Sequence, residues 1–462
     1  MNSTLEKRIG DFIKENRDDI VRDIGALVAI PSVAGEPAEG APFGKASRQA
    51  LDKGLEIAAR LGLDTRNCGN MIGWAELAGE EKDKYIATIT HLDVVPAGTG
   101  WTGDPFDMRQ RDGYIIGRGV MDDKGPSVLC LYALKFFKEC GVMLHYTVRA
   151  LLGTAEETGM EDVKYYLANY PAPAFLFSPD ADFPVCNGEK GIYQARITAT
   201  APTENIVSFT GGIVVNAVPD TAEALVRADA SKLRDTERVR VEAKDGLAHI
   251  TARGVAGHAS RPEGTVNAIG VLAGYILENG LAGAEEAKFL RLMMKLHSAS
   301  DGSGLGVKSA DDKFGPLTII GGMAGMTDGR LWQTADSRYP TTMTGEELTR
   351  AILAAADGCA EVKVLSDNKP FYIDAGSPAI QACIGAYNEV TGEGKKPFTI
   401  GGGTYARDFP FGVSFGPEHD DRPFPAFAGG IHSVDEGANV NYFLEALKIY
   451  ILAIIRLQDV RL

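Results

Sequence analysis

Thr90-His91-Leu92-Asp93-Val94-Val95-Pro96 is the stretch on which the fold is read. It follows a short apolar run, Tyr85-Ile86-Ala87-Thr88-Ile89, whose composition predicts a buried strand of a parallel sheet. His91 and Asp93 stand two residues apart where that strand should end. In an open α/β sheet, ligands bind at the carboxyl ends of the strands. Residues i and i+2 of an extended segment point to the same side. The pair reads either as a metal ligand with the carboxylate that orients its imidazole, or as a hydrogen-bonded His beside a solvated Asp. The rest of the chain bears on the choice.

Upstream, Leu5 to Leu27 carries apolar residues at helical spacing (Ile9, Phe12, Ile13, Ile20, Ile24), and the helix should stop before Pro31-Ser32. Ser47 to Leu61 predicts a second helix. Downstream, Pro96 to Gly113 is a turn-rich excursion. The segment Gly117-Arg118-Gly119-Val120-Met121-Asp122-Asp123-Lys124-Gly125-Pro126 then leads into an apolar helix, Ser127 to Phe137. Its adjacent carboxylates lie beside that helix's positive N-terminal end. Tyr146 to Leu152 predicts a strand followed directly by Gly153-Thr154-Ala155-Glu156-Glu157-Thr158-Gly159. A short helix runs from Glu161 to Tyr170, and Ala174 to Phe177 predicts a strand closed by Ser178-Pro179-Asp180. Strand, helix, strand, helix, strand is a doubly wound α/β pattern. Acids or a His stand at each of these strand ends.

Around Glu189 the character changes. Alternating strands (Gln194 to Thr198, His249 to Ala252) are interrupted by helices over Asn267 to Leu281, Glu285 to Leu296 and Glu346 to Asp357. Thr344-Gly345-Glu346-Glu347 has the spacing of a capping box. This α+β block reads as an inserted domain. After it come a helix, Ser377 to Thr391, the glycine loop Gly401-Gly402-Gly403-Thr404, a strand near Val413-Ser414-Phe415, Gly429-Gly430-Ile431-His432-Ser433, and a closing apolar helix, Asn439 to Leu457. The expected division is a catalytic domain over 1–188, a lid over 189–375, and the remainder of the catalytic domain over 376–462.

The composition of the 462 residues, 45% hydrophobic and 24% charged, is that of an ordinary globular protein. A net charge of -15 argues against nucleic acid and anionic membranes as partners. The stretch Met1 to Asp23 is charged and has no apolar core, so no signal peptide is expected. No apolar run is long enough to span a bilayer. The 6 cysteines are scattered without a CxxC pair, which points to free thiols in a reducing cytoplasm.

Collected, the polar residues at strand ends and in the late glycine-rich loop are His91, Asp93, Asp122, Asp123, Glu156, Glu157, Asp180, His432 and Asp435. Nitrogen and carboxylate donors without thiolates suit catalytic Zn²⁺, Mn²⁺ or Co²⁺. Converging carboxylates repel one another unless cations neutralise them. Two cations about 3.5–4 Å apart need one bridging carboxylate, two further ligands each, and a carboxylate left free as a base. These residues can supply all of them.

At this point the chain resembles the M20 metallopeptidases, and within them the bacterial dipeptidases of the PepV type. The resemblance spans nearly the whole chain. It rests on His91-Leu92-Asp93-Val94-Val95-Pro96, Gly117-Arg118-Gly119 with Asp122-Asp123-Lys124-Gly125, Glu156-Glu157-Thr158-Gly159, Pro179-Asp180, and His432 with Asp435-Glu436, in order and at family-like spacing. It implies a zinc-exopeptidase-like mixed sheet split by the inserted lid. It implies two divalent ions, Zn²⁺ first and Mn²⁺ or Co²⁺ as alternatives, bridged by Asp122, with a cis peptide after that residue. His91 and Asp180 would complete one site; Glu157 and His432 would complete the other. Asp93 would hydrogen-bond His91, and Glu156 would be the general base. Gly257-His258-Ala259-Ser260-Arg261-Pro262 resembles the lid segment whose His holds the oxyanion. Asn216 resembles a lid Asn with a similar task. Arg338 resembles a clamp for a substrate carboxylate, with an ion pair to Asp336 as the equal alternative. Thr404 resembles part of a substrate-facing loop, or else belongs to a tight turn.

The implied activity is hydrolysis of unblocked dipeptides. The runners-up are an N-acyl-amino-acid deacylase or desuccinylase of the same family, and a catalytically silent metal-binding homologue. By the same resemblance, in which a long lid takes the place of a partner's, the length of 189–375 implies a monomer acting on a small peptide. His145, His249 and His297 are expected to do no chemistry, and His419 to be a solvated loop residue.

Overall fold

The computed structural model describes residues 3–419 and 421–462. Met1 and Asn2, within the N-terminal stretch read above for a signal peptide, lie outside the described residues, as does Asp420. Contacts divide the chain into two compact units. The first comprises residues 1–187, 373–398 and 404–462; the second comprises residues 188–372 and 399–403.

The first unit begins with helices α1 (Ser3–Val28) and α2 (Lys45–Arg60), and strands β1 (Asp64–Cys68), β2 (Ile72–Leu77) and β3 (Glu81–His91). A small hairpin follows, β4 (Arg109–Arg111) and β5 (Tyr114–Ile116). Then come α3 (Lys124–Glu139), β6 (Tyr146–Gly153), α4 (Glu161–Asn169) and β7 (Phe175–Ser178). The unit is completed by helix Pro378–Thr391, strand Gly412–Ser414 and the closing helix Val440–Gln458.

Its sheet runs β1-β2-β6-β3-β7, then Gly412–Ser414, then Cys186–Glu189. The centre is parallel: β3 pairs in parallel with both β6 and β7, and β7 with Gly412–Ser414. β1 and β2 add an antiparallel edge, so the sheet is mixed. The reason β3 reads as an unbroken apolar run is that both its faces are covered. Ala87 and Ile89 join Trp74, Tyr85 and Leu151 in a buried cluster with Val163 and Tyr166 of α4 and with Tyr405 and Phe409. The alternate residue Thr88 faces Cys130 of α3. α3 is apolar all round because it is buried all round; Leu129, Leu131, Leu134 and Phe136 are fully covered. Each such side chain contributes about 1.5–3 kcal/mol on leaving water.

α3 starts at Lys124, earlier than Ser127, so the carboxylate pair abuts its first turn directly. The excursion expected between Pro96 and Gly113 ends in the hairpin β4–β5, which takes Gly437–Asn439 as a third strand. Pairs of three residues carry too little periodicity to be read from sequence.

The second unit is built on a long antiparallel sheet. It includes Gly191–Ala199, Ile206–Gly211, Thr221–Val226, Val239–Lys244, Leu247–Arg253, Arg330–Tyr339 and Ala360–Asn368. Helices Ala268–Glu278, Ala284–His297 and Gly345–Ala356 pack their apolar faces on it. The capping box at Thr344 and Glu347 is formed. Residues 399–403, including the glycines of the late loop, group with this unit, whereas Thr404 belongs to the first. No helix among the described residues is long and apolar enough to cross a membrane.

Candidate metal centre

The carboxyl ends of the three central parallel strands converge with two loops. His91 is the last residue of β3 and is fully buried. Glu156 and Glu157 open a short 3-10 turn just after β6, and Asp180 lies just beyond β7. Asp122 comes from the loop before α3, and His432 from the loop before Gly437–Asn439.

Asp122 divides its oxygens between two histidines. Its Oδ1 lies 2.9 Å from His91 Nε2, and its Oδ2 lies 2.8 Å from His432 Nε2. Asp180 Oδ2 is 3.9 Å from His91 Nε2, and Glu157 Oε1 is 3.1 Å from His432 Nε2. Two potential ligand sets therefore share Asp122: His91 with Asp122 and Asp180, and Asp122 with Glu157 and His432. Within each set the donor atoms lie within 4.8 Å of one another. The Asp122–Asp123 peptide is cis.

The donor set fits divalent metal. His91 Nε2 is buried and makes no aligned hydrogen bond, although Asp122 stands beside it. Such a nitrogen aimed among carboxylates suits a cation, and nitrogen–oxygen donors suit a transition metal. The charges agree. Burial, reinforced by the charge of Asp180, pushes Glu156 well above the ordinary carboxylate range. Burial and the charge of Asp122 push Asp180 up to about 7. Burial opposes ionisation of Asp122, but the adjacent His432 and His91 imidazoles hold it low. Hydrogen bonds to Asp122 and Glu157 raise His432 to about 11. Divalent cations would replace those imidazole protons and restore the carboxylates to their ionised form.

Several side chains fix this constellation. His91 Nδ1 lies 3.0 Å from the main-chain carbonyl of Asp93, while the Asp93 carboxylate is 3.5 Å away. That carboxylate instead accepts the N–H groups of Glu156 and Glu157, both at 3.2 Å. Asp93 thus ties the imidazole to the glutamate turn. Asp123 accepts the His91 N–H at 3.1 Å, and burial raises its carboxyl well above the usual range. Asp162 accepts the N–H groups of Thr154 and Ala155 and the Tyr405 hydroxyl, at 2.6, 3.0 and 2.5 Å. The sequence reading missed Asp162 and Tyr405. Asp162 looks like an ordinary acid at a helix start, and Tyr405 lies in a remote loop.

The remaining expected residues are placed as follows. Thr404 is buried; its hydroxyl meets Ser414 Oγ at 2.8 Å and accepts the Ala406 N–H. In the second unit, His258 and Asn216 are neighbours. Ala217–Val218 pairs with Gly257–His258, and Ala259 donates its N–H to the Asn216 carbonyl. His258 Nδ1 meets Ser260 Oγ at 2.7 Å and accepts the Ser260 N–H, which leaves the ring proton on Nε2. Arg338 is buried and paired with Asp336 at 2.7 and 3.2 Å, and it donates to the Gly401 carbonyl at 2.9 Å. Three of its five N–H groups are thereby committed. His419 departs from the expectation of a solvated residue. It packs on the rings of Phe183 and Tyr442, and burial lowers its pKa to about 4.

Residues 87–456 match the profile of Peptidase family M20/M25/M40. The chain belongs to this family. It is 32% identical to the putative dipeptidase YtjP of Bacillus subtilis over 461 residues, which covers 96% of this chain and 97% of the relative. It is also 32% identical to the Beta-Ala-Xaa dipeptidase of Lactobacillus delbrueckii subsp. lactis, covering 98% of this chain and 99% of the relative. Among solved structures, human carnosine dipeptidase 1 superposes with a TM-score of 0.62 at 16% identity, covering 99% of this chain and 100% of that one. Aminopeptidase PepT from Bacillus cereus gives 0.57 at 16% identity, covering 96% and 99%. The structural likenesses speak for the fold. M20 members are metal-dependent peptidases, and the clustered histidines and carboxylates agree with that chemistry.

Proposed function

We propose that this M20 peptidase is a dipeptidase that hydrolyses unblocked dipeptides at a two-metal centre, with Glu156 as general base. The observation that carries the reading is Asp122, which offers one oxygen to each of two histidine-containing ligand sets while Glu156 stands beside them as a further carboxylate. In this reading His91 and Asp180 would hold one divalent ion and Glu157 and His432 the other, with Asp122 shared by both ligand sets. Zn²⁺ is the first choice, with Mn²⁺ or Co²⁺ as alternatives. Such ions, when bound, would supply Lewis acidity toward water and the scissile carbonyl.

The protein's own groups do the rest. Glu156 takes a proton from water and delivers it to the leaving amine. Its environment supports both tasks, because burial and neighbouring carboxylates favour its protonated form, while cations favour the ionised form. Asp93 holds the backbone of the glutamate turn by two N–H bonds, which fixes where the Glu156 side chain starts. His258 would donate its Nε2 proton to the developing oxyanion, with Asn216 beside it. Arg338 would receive the substrate carboxylate on its remaining N–H groups, and Thr404 would stand in the substrate-facing loop. We take 189–375 as a lid inserted into a catalytic domain of 1–188 and 376–462. We expect a monomer in the cytoplasm acting on small peptides.

The relatives' names, both dipeptidases, favour this over an N-acyl-amino-acid deacylase or a silent metal-binding homologue. The test is hydrolysis of β-Ala-His, Leu-Gly and N-acetyl-Leu-Gly by stripped protein resupplied with Zn²⁺ or Mn²⁺. Cleavage of the free dipeptides alone, abolished in Glu156→Ala, is the expected result. Cleavage of the acetylated compound alone would move the assignment to the deacylases. Binding of two metals without any turnover would leave the silent homologue.

A further inference from the structure

His432 is the exposed and strained member of the ligand sets. Its side chain is 50% exposed and its φ is 58°. The left-handed region is unfavourable for a non-glycine residue of this kind and persists only where the surroundings over-determine it. His91 is the opposite case, fully buried at the end of a strand paired on both sides.

Two carboxylates just beyond His432 hold its loop. Asp435, itself at φ 52°, accepts the Thr102 N–H at 3.1 Å, the Thr102 hydroxyl at 3.0 Å and the Arg109 guanidinium at 2.7 Å. Glu436 is fully buried and takes the buried Arg118 through Oε2 at 2.5 Å. Its Oε1 accepts the N–H groups of Gly119, Met121 and Asp122 at 3.1, 3.0 and 3.2 Å. Arg118 also reaches the His432 carbonyl at 3.4 Å. Glu436 therefore ties the loop of the shared Asp122 to the loop of His432. Asp435 clasps only the His432 loop.

We propose that Asp435 and Glu436 are positioning residues with different reach. Asp435, through Thr102 and Arg109, holds His432 and so assembles only the Asp122–Glu157–His432 set. Glu436, through Asp122, supports both sets. The proposal deepens the two-metal reading above and rests on it. It predicts a pattern that a general loss of stability would not give.

The test is titration of stripped full-length protein with Co²⁺, followed by calorimetry and by visible absorption of the bound ion. Wild type should take two equivalents. In Asp435→Ala one equivalent should bind 10–100-fold more weakly while the other, with its absorption bands, stays as in wild type. Asp435→Asn, which tolerates the left-handed backbone and keeps an acceptor for Thr102, should restore most of the loss. Arg109→Gln alters a partly exposed side chain, and should weaken the same equivalent. Glu436→Gln should weaken both. Unchanged binding in Asp435→Ala, or equal loss of both equivalents there, would overturn the proposal. A wild type that takes only one equivalent would instead bring down the two-metal reading, and is distinguished by needing no variant.

Discussion

Replacing Tyr405 by Phe removes one oxygen from the support of the glutamate turn. Tyr405 and Asp162 are both fully buried, and the hydroxyl donates to Asp162 Oδ2 at 2.5 Å. A hydrogen bond to a charged partner contributes about 1.5–3 kcal/mol, and one between neutral groups about 0.5–1.5 kcal/mol. The size of the effect therefore depends on whether Asp162 is ionised. Burial raises its carboxyl from 3.8 to about 6, against the lowering effect of Tyr405. A raised folded pKa means that the stability contributed by this group is full below 3.8 and is lost as pH rises through 6. In Tyr405→Phe the lowering bond is gone, so the pKa climbs further and the loss extends to higher pH. Urea unfolding of both proteins should give a penalty of about 2 kcal/mol at pH 8 and about half that at pH 5. Because Asp162 also holds the N–H groups of Thr154 and Ala155, next to Glu156, kcat should fall about tenfold as the turn loosens. An equal penalty at both pH values, or a larger one at pH 5, would refute the account.

Four further outcomes are expected. Glu286 is buried and accepts the N–H groups of Glu204, Asn205, Ile206 and Gly283 at 2.6 to 2.9 Å; Glu286→Ala should cost the second unit about 3–5 kcal/mol in urea unfolding, and a change below 1 kcal/mol would contradict the bonding described. His297 is held to a pKa of about 4 by burial, so it should titrate near 4 by NMR. Because its folded pKa lies below the ordinary 6.5, its stability contribution is present above pH 6.5 and lost as pH falls toward 4. Stripping metal with a chelator should abolish peptidase activity and lower Tm, and Zn²⁺ at a hundredfold excess over Kd should return about 2.7 kcal/mol per site. The stripped protein should also lose stability as pH rises through 7, where the raised Asp180 ionises.

The ligand cluster was legible because its chemistry is concentrated at strand ends, where a short apolar run followed by His or acid is a local signal. His91, Glu157 and Asp180 could be picked out that way, Asp122 from the acidic pair before an apolar helix and His432 from the late glycine-rich loop, and the structure brings them together. The supports were not legible. Tyr405 and Asp162 meet across most of the chain, and nothing local in either segment announces the other. The same is true of Arg118 with Glu436, although both stood in quoted motifs. Arg338 shows a different obstacle. Its identity as an arginine says nothing of whether Asp336, on the same strand face, has already claimed it. Asp93 is expected to orient His91, and its carboxylate stands 3.5 Å from the imidazole Nδ1; that it also accepts the N–H groups of the glutamate turn is not legible, because that turn comes from a later loop.

The second unit begins at Gly188 and its long segment ends at Tyr372, and these two residues are paired directly on adjacent antiparallel strands. Its entry and exit are therefore one strand spacing apart, about 5 Å. During synthesis this segment emerges whole, lacking only residues 399–403, while the first unit still waits for the closing helix Val440–Gln458 that packs on α1 and α3. The inserted segment is thus synthesised before the unit that hosts it is complete, and His432 of the candidate metal centre emerges only after it.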